Sequence, residues 1–95
     1  MRNIIDVIEQ IKKLYNKYDN VNIDNFTYYL DVIKYSVSFT APEMMYIRWN
    51  ELYKLLTNIL LDDVMDKHIY DYNFTIKCFS IFSGNSEEDL RNEIK

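Results

Sequence analysis

Glycine and proline are almost missing from this sequence, which has one of each in 95 residues. Sandwiches and barrels need turn-forming residues at every hairpin, so the shortage argues against an all-β fold. Phosphate-binding loops need several glycines, because the backbone must approach the phosphate closely. One glycine therefore excludes such loops and favours a chain built from helices.

Histidine and cysteine are also scarce, with His68 and Cys78 the only examples. A single cysteine allows no internal disulfide, and its place in the apolar run IKCFSIF predicts a buried, inert thiol. Acid–base catalysis mostly uses histidine, and nucleophilic catalysis pairs a nucleophile with a base. On one helix these two residues would lie about 15 Å apart along the axis, too far to react together. We therefore expect no enzymatic activity and no cofactor.

A metal-binding motif is not evident either. The segment DDVMDKH combines Asp62, Asp63 and Asp66 with His68, but His68 lies on roughly the opposite side of a helix from Asp62 and Asp66. A calcium loop would need a glycine for its turn. Carboxylates are favourable near a helix N-terminus, so we interpret these aspartates as first-turn residues and expect no metal.

Long apolar runs are absent, since none approaches the roughly 20 residues needed to span a bilayer. The N-terminal MRNIIDVIEQ reaches charged residues too early for a secretory signal. The sequence therefore predicts a cytoplasmic protein that does not enter a membrane.

Basic charge is deficient in the last third of the chain. Residues 1–61 contain seven acidic and seven basic residues, whereas residues 62–95 contain eight acidic and four basic residues, which accounts for the net charge of −4. Nucleic-acid binding usually leaves a basic footprint, so direct nucleic-acid binding is not expected. An acidic end suits a basic protein partner.

What the sequence does contain is apolar residues at helical spacing, within an ordinary globular composition of 48% hydrophobic residues. The length indicates one helical domain over residues 1–95. We predict an all-α fold, an antiparallel bundle of four main helices. The predicted ranges are about 3–18, 25–39, 41–60 and 63–83, with a short C-terminal helix at 87–94.

Residues 73–82 have a composition that suits either a helix or a strand. We prefer a helix, since the apolar pattern continues back to Met65. Gly84 would then end the helix in a left-handed conformation. Ser86 followed by Asp89 is a capping signature for the last helix.

Two further segments resemble helix starts. Asp24 is a candidate N-cap for the second helix. In TAPE, Thr40 and Glu43 have the spacing of a capping box, and Pro42 suits a first helical turn. The third helix should therefore begin there.

The third helix carries one apolar stripe, which places Trp49 in the core between Met45 and Leu52. The second and fourth helices carry two stripes each. A helix that is apolar on two faces is either central in the core or keeps one face for another molecule. In the fourth helix the stripes are Met65, Ile69, Tyr72, Ile76 and Phe79, and then Phe74, Cys78 and Ile81 or Phe82. In the second helix they are Phe26, Tyr29, Leu30, Ile33 and Val37, and then Tyr28, Val32, Tyr35 and Phe39.

The second stripe of the second helix is therefore a candidate contact surface, because tyrosine is enriched at protein interfaces. The sequence predicts a small acidic protein that binds a basic, possibly nucleic-acid-handling protein and blocks it stoichiometrically, as toxin-immunity proteins and phage-encoded inhibitors do. The alternative is a self-associating structural or regulatory subunit. The predicted contact residues are Tyr28, Val32, Tyr35, Phe39, Asp62, Asp63, Asp66, Glu87, Glu88 and Asp89.

Overall fold

The computed structural model describes residues 2–61 and 72–94, and within these ranges it contains helices and no strand. Asp62, Asp63, Asp66 and His68 lie outside the described residues, as does the first part of the predicted fourth helix. The α-helices are α1 (Ile4–Lys17), α2 (Phe26–Val37), α3 (Met45–Leu56), α4 (Tyr72–Ser83) and α5 (Glu87–Ile94). A 3₁₀ turn, Pro42–Met44, precedes α3, and a π-helical turn, Thr57–Leu61, follows it.

The helices pack as the predicted bundle. In the described part of the chain, α1 contacts both α2 and α4, α3 also contacts both of these helices, and the short α5 packs on α4. Lys12 bridges to Asp31 and Lys34 bridges to Glu9, so α1 and α2 run in opposite directions. The all-α prediction is confirmed, and residues 73–82 are helical.

The core is formed by the predicted inner stripes and by two residues of the α1–α2 connection. Val21 and Ile23 of this connection are buried, and the Tyr15 hydroxyl accepts a hydrogen bond from the Ile23 amide at 2.9 Å. The Phe26 and Phe74 rings meet edge-on in the centre, 6.4 Å apart. The buried apolar residues are Ile4, Val7, Ile8, Ile11, Val21, Ile23, Phe26, Leu30, Ile33, Val37, Leu52, Leu56, Phe74, Ile76 and Cys78.

The start of α2 differs from the prediction. Asn25, not Asp24, is the N-cap, and it adopts a left-handed conformation with φ of 62° and makes no side-chain capping bond. Buried Ile23 draws the chain onto α1, and its carbonyl accepts the Phe26 amide at 3.1 Å, which closes a tight turn. Asparagine tolerates the left-handed region better than most residues. The prediction for Asp24 is therefore wrong, because packing of the connection decides the turn.

The predicted capping box at TAPE is also wrong. Ala41 is the N-cap of the turn that starts at Pro42, and it makes no side-chain bond. The Thr40 hydroxyl instead donates to the Ser36 carbonyl at 2.7 Å, so it completes the end of α2. Pro42 does occupy the first turn, because its missing N–H would have no helical acceptor there.

The two predictions around α5 are confirmed. Gly84 follows α4 with φ of 80°, and its amide donates to the Ser80 carbonyl at 2.9 Å. The Ser86 hydroxyl accepts the Asp89 amide at 3.1 Å and caps α5. The Arg2 guanidinium also donates to the Ile81 carbonyl at the end of α4, which ties the N-terminal residues to this helix.

The prediction that Trp49 lies in the core is confirmed in part, because the residue packs against the core but is only half-buried. Its ring meets Phe82 edge-on at 5.7 Å, and the Arg2 guanidinium lies 5.5 Å from the ring centre. The indole therefore joins α3, α4 and the N-terminal residues at the edge of the core.

Candidate functional site

The second stripe predicted for the second helix forms an exposed surface along α2 and the turn that follows it, which we call the aromatic face and define as Tyr28, Val32, Tyr35 and Phe39. Their exposed fractions are 63%, 45%, 69% and 75% in that order. The spacing of four and three residues puts Tyr28, Val32 and Tyr35 on the side of α2 opposite the fully buried Leu30. Phe39 lies in the turn after α2, which ends at Val37 and not at residue 39 as predicted. The predicted exposure of all four side chains is confirmed, and contact with another molecule stays a prediction.

Two aromatic pairs lie at the ends of the aromatic face. The Tyr28 ring lies 5.8 Å from the ring of Tyr29, and the Tyr35 ring lies 5.0 Å from the ring of Phe39. Val32 lies between the pairs and offers a smaller side chain. Large contiguous apolar patches on a soluble protein usually mark contact sites.

The charged residues beside the aromatic face are paired within the molecule. Lys12 of α1 donates to Asp31 at 2.7 Å, and this bond raises the pKa of Lys12. Lys34 donates to Glu9 at 2.5 Å, and this bond lowers the pKa of Glu9. The edge of the face toward α1 therefore presents balanced charge.

On the other edge, the aromatic face continues into a groove between α2 and α3 with a volume of about 430 Å³. Val32 belongs to both surfaces. Tyr29 is 41% exposed and also lines the groove, so its predicted place in the core is wrong. The groove is lined by Tyr29, Val32, Ile33, Glu51, Lys54, Leu55, Asn58 and Ile59.

Helical geometry could have located Tyr29 on this edge. Tyr29 lies about 100° around the helix from Leu30 and only about 60° from Val32. This position is the border between the inner and outer stripes. The α3 residues of the groove could not be found from the sequence, because their part in it depends on how α3 packs beside α2.

The predicted acidic contact residues of α5 lie elsewhere in the bundle. Glu88 and Asp89 are exposed, whereas Glu87 is half-buried and forms an ion pair with Lys77 of α4 at 3.2 Å. The structure puts α5 on α4, while α2 packs against α1 and α3. The two predicted contact regions are therefore carried by different helices.

Cys78 is buried in the core, as predicted, and burial raises the pKa of its thiol. The thiolate is the reactive form of cysteine, so this side chain behaves as a small apolar residue. Among residues 2–61 and 72–94, no group of three or more histidine, cysteine or acidic side chains could hold a metal ion. His68 lies outside those ranges.

Comparison with known proteins gives the chain no relative. No family model matches it, and no curated protein or solved structure matches it significantly. Within the described ranges, no helix has the length and apolar composition needed to cross a bilayer. The described residues define an all-helical bundle with an exposed aromatic surface on one helix.

Proposed function

We propose that the protein is a non-enzymatic interaction module that inhibits a basic target protein by binding over its functional site in a stoichiometric complex. The aromatic face is the observation that carries this proposal. Tyrosine and other aromatic residues are enriched at the energetic centres of protein interfaces. A toxin-immunity protein or a phage-encoded inhibitor works in this way, and neither needs a catalytic group of its own.

The exposed aromatic side chains of this face contribute little to the stability of the fold. Tyr35 and Phe39 contact one another, yet each keeps more than two thirds of its surface in water. An exposed residue of this kind is worth within about 0.5 kcal/mol of fold stability. As an interface anchor it can be worth about 2 kcal/mol or more of binding free energy.

The charge of the target follows from the last third of the chain, which carries the whole net charge of −4. Exposed Glu88 and Asp89 at the start of α5 contribute to that field. Opposite charge accelerates association with a basic target. A nucleic-acid-handling protein, such as a nuclease, presents the basic surface that this arrangement suits.

Self-association is the second candidate function, as a homodimeric structural or regulatory subunit. The ion pairs of Asp31 with Lys12 and of Lys34 with Glu9 favour self-association. They leave the edge of the aromatic face neutral, so that two copies can meet there without repulsion.

The test is capture of the target from cells of the native host with immobilised protein, followed by titration of the captured protein's activity. The variant Tyr28→Ala/Tyr35→Ala should lose capture and inhibition. Its matched control is Tyr46→Ala/Tyr53→Ala. This variant removes two exposed tyrosines of α3 that are also seven residues apart. Equal losses of capture in both variants would contradict the proposal. So would a captured protein that is acidic, or one that stays active when the inhibitor is present at an equimolar concentration.

Acidic residues of α5 provide an independent test. The variant Glu88→Gln/Asp89→Asn should lower the association rate with the target and weaken its salt dependence, with little change in the dissociation rate, since charges at an interface rim act mainly on encounter. Stopped-flow association at several salt concentrations measures this effect. An unchanged salt dependence would remove α5 from the target interface.

A further inference from the structure

The aromatic face has an internal symmetry in the order of its residues. An aromatic pair lies at each end, Tyr28 with Tyr29 and Tyr35 with Phe39, and the midpoint between Tyr28 and Tyr35 falls beside Val32. When a second copy is turned by 180° about this midpoint, the Tyr28 end of each copy faces the Tyr35 end of the other.

We propose that the free protein is a homodimer in which two aromatic faces pack against each other around a two-fold axis close to Val32. This inference rests on the proposed function in that it uses the same face. It adds a form of regulation, since a target must compete with the second copy for the aromatic face.

The geometry of two helices supports this arrangement. Tyr28 and Tyr35 are seven residues apart, or about 10.5 Å along the α2 axis. In an antiparallel crossing at Val32, Tyr28 of each copy lies against Tyr35 of the partner subunit, and the symmetry makes this contact twice. The smaller valine at the crossing point lets the helix axes approach, while the aromatic rings fill the space on either side.

The charges beside the face favour a second copy as its occupant. A two-fold axis places like charges near one another, and unpaired charges close to such an axis repel. Asp31 and Lys34 avoid this problem, since they are held by Lys12 and Glu9 of their own chain.

The available area fits a weak dimer. With about 150–250 Å² for each aromatic side chain, the exposed parts of the aromatic face and Tyr29 amount to roughly 500 Å² for each copy. If all of this surface is covered, the two copies together bury roughly 1,000 Å², which is near the lower limit for a biological interface. We therefore expect a concentration-dependent dimer that a target can open.

The experiment is sedimentation equilibrium of the full chain over a wide range of concentrations. The average mass of the native protein should rise from 11.6 kDa toward twice that value. The variants Val32→Arg and Val32→Glu should each stay at the mass of one chain, because each places two like charges at the axis. A mixture of the two variants should form dimers again, since the charges are then opposite.

The control Tyr46→Ala/Tyr53→Ala should dimerise like the native protein, and helical circular dichroism should be the same for every variant. Native protein that keeps the mass of one chain at all concentrations overturns the inference. Dimers that persist in folded Val32→Arg, or a variant mixture that stays monomeric, overturn the proposed axis and with it the inference.

The outcome can be separated from that of the proposed function. A monomeric protein whose target binding still depends on Tyr28 and Tyr35 would refute the dimer and leave the inhibitor proposal standing. A dimer that captures no target would support the dimer and refute the inhibitor proposal. If both hold, added target should convert dimers into complexes that contain one chain of this protein.

Discussion

Helices α2 and α4 carry the same kind of sequence pattern and use it differently. Each has apolar residues on two faces, yet α2 leaves Tyr35 more than two-thirds exposed, whereas α4 buries Phe74 and Cys78 completely and Ile76 almost completely. The difference lies in their neighbours. Helix α4 is packed against α1, α3 and α5, while α2 packs against α1 and α3 with no third helix over its outer side in the described part of the chain. An apolar stripe therefore becomes core or contact surface according to what the bundle puts next to it.

The largest effect should come from the α4 side of this comparison. Phe74 is fully buried and meets the rings of Tyr15, Tyr18 and Phe26. Phe74→Ala should lower the free energy of unfolding by about 3–5 kcal/mol. Urea denaturation followed by circular dichroism measures this loss. A loss below about 1 kcal/mol, the range of partly exposed positions, would mean that α4 is not central in the core.

An intermediate loss of stability is expected at Trp49, because this residue is half-buried, whereas Phe74 is fully buried and Tyr35 is exposed. Its contacts with Phe82 and Arg2 are lost in Trp49→Ala, and we expect a destabilisation of about 2–3 kcal/mol, below the value for a fully buried aromatic residue. Thermal unfolding gives the value. As a control, Trp49→Phe should retain most of the packing with Phe82 and recover part of the stability. A loss as large as that of Phe74→Ala would show a deeper position for the indole.

A small effect on folding is expected for the aromatic face. Tyr28→Ala/Tyr35→Ala should change the free energy of unfolding by about 0.5 kcal/mol or less for each substitution, because both side chains are largely in water. The measurement uses dilute protein, so that self-association adds nothing to stability. If this variant loses as much stability as Phe74→Ala, the second stripe of α2 is part of the core, as the second stripe of α4 is, and the proposed difference between the two helices is wrong.

The smallest effect concerns the ion pairs beside the aromatic face. The hydrogen bond from Lys34 lowers the pKa of Glu9 in the folded protein, so this pair contributes stability above the pKa of an unfolded glutamate and loses it as the pH falls through the lower folded value. Stability curves for native protein and Glu9→Gln should converge in that acidic range. Because Glu9 is solvent-accessible, high salt should shrink the difference. Parallel curves at all pH values would show that the pair contributes nothing.

Local physical chemistry allowed several features to be predicted from the sequence. Helical spacing gives the ranges of α1 and α5 within one residue at each end, because amphipathic periodicity and caps act over a single turn. Ser86 caps α5 and Gly84 ends α4 for the same local reason. The exposed aromatic face also followed from spacing, since a surplus stripe lies opposite the inner one.

Other features were not accessible to local reasoning. Asp24 and Thr40 have side chains suitable for capping. Burial of Ile23 makes Asn25 the N-cap of α2 instead of Asp24. The Thr40 hydroxyl donates to the Ser36 carbonyl and therefore does not cap α3. Tyr29 fitted the inner stripe, yet the position of α3 left it at a groove. These outcomes depend on contacts between residues far apart in the sequence or on competition between two helix ends.

The sequence by itself determined that this chain folds as helices, with an acidic last third and more apolar surface on α2 than one core face requires. Composition and periodicity are properties of short segments, so they need no knowledge of neighbouring elements. Only the tertiary structure decided which of the two doubly apolar helices is enclosed. Burial depends on how many elements pack around a helix, and the α5 contact with α4 has no counterpart on the outer side of α2 in the described residues.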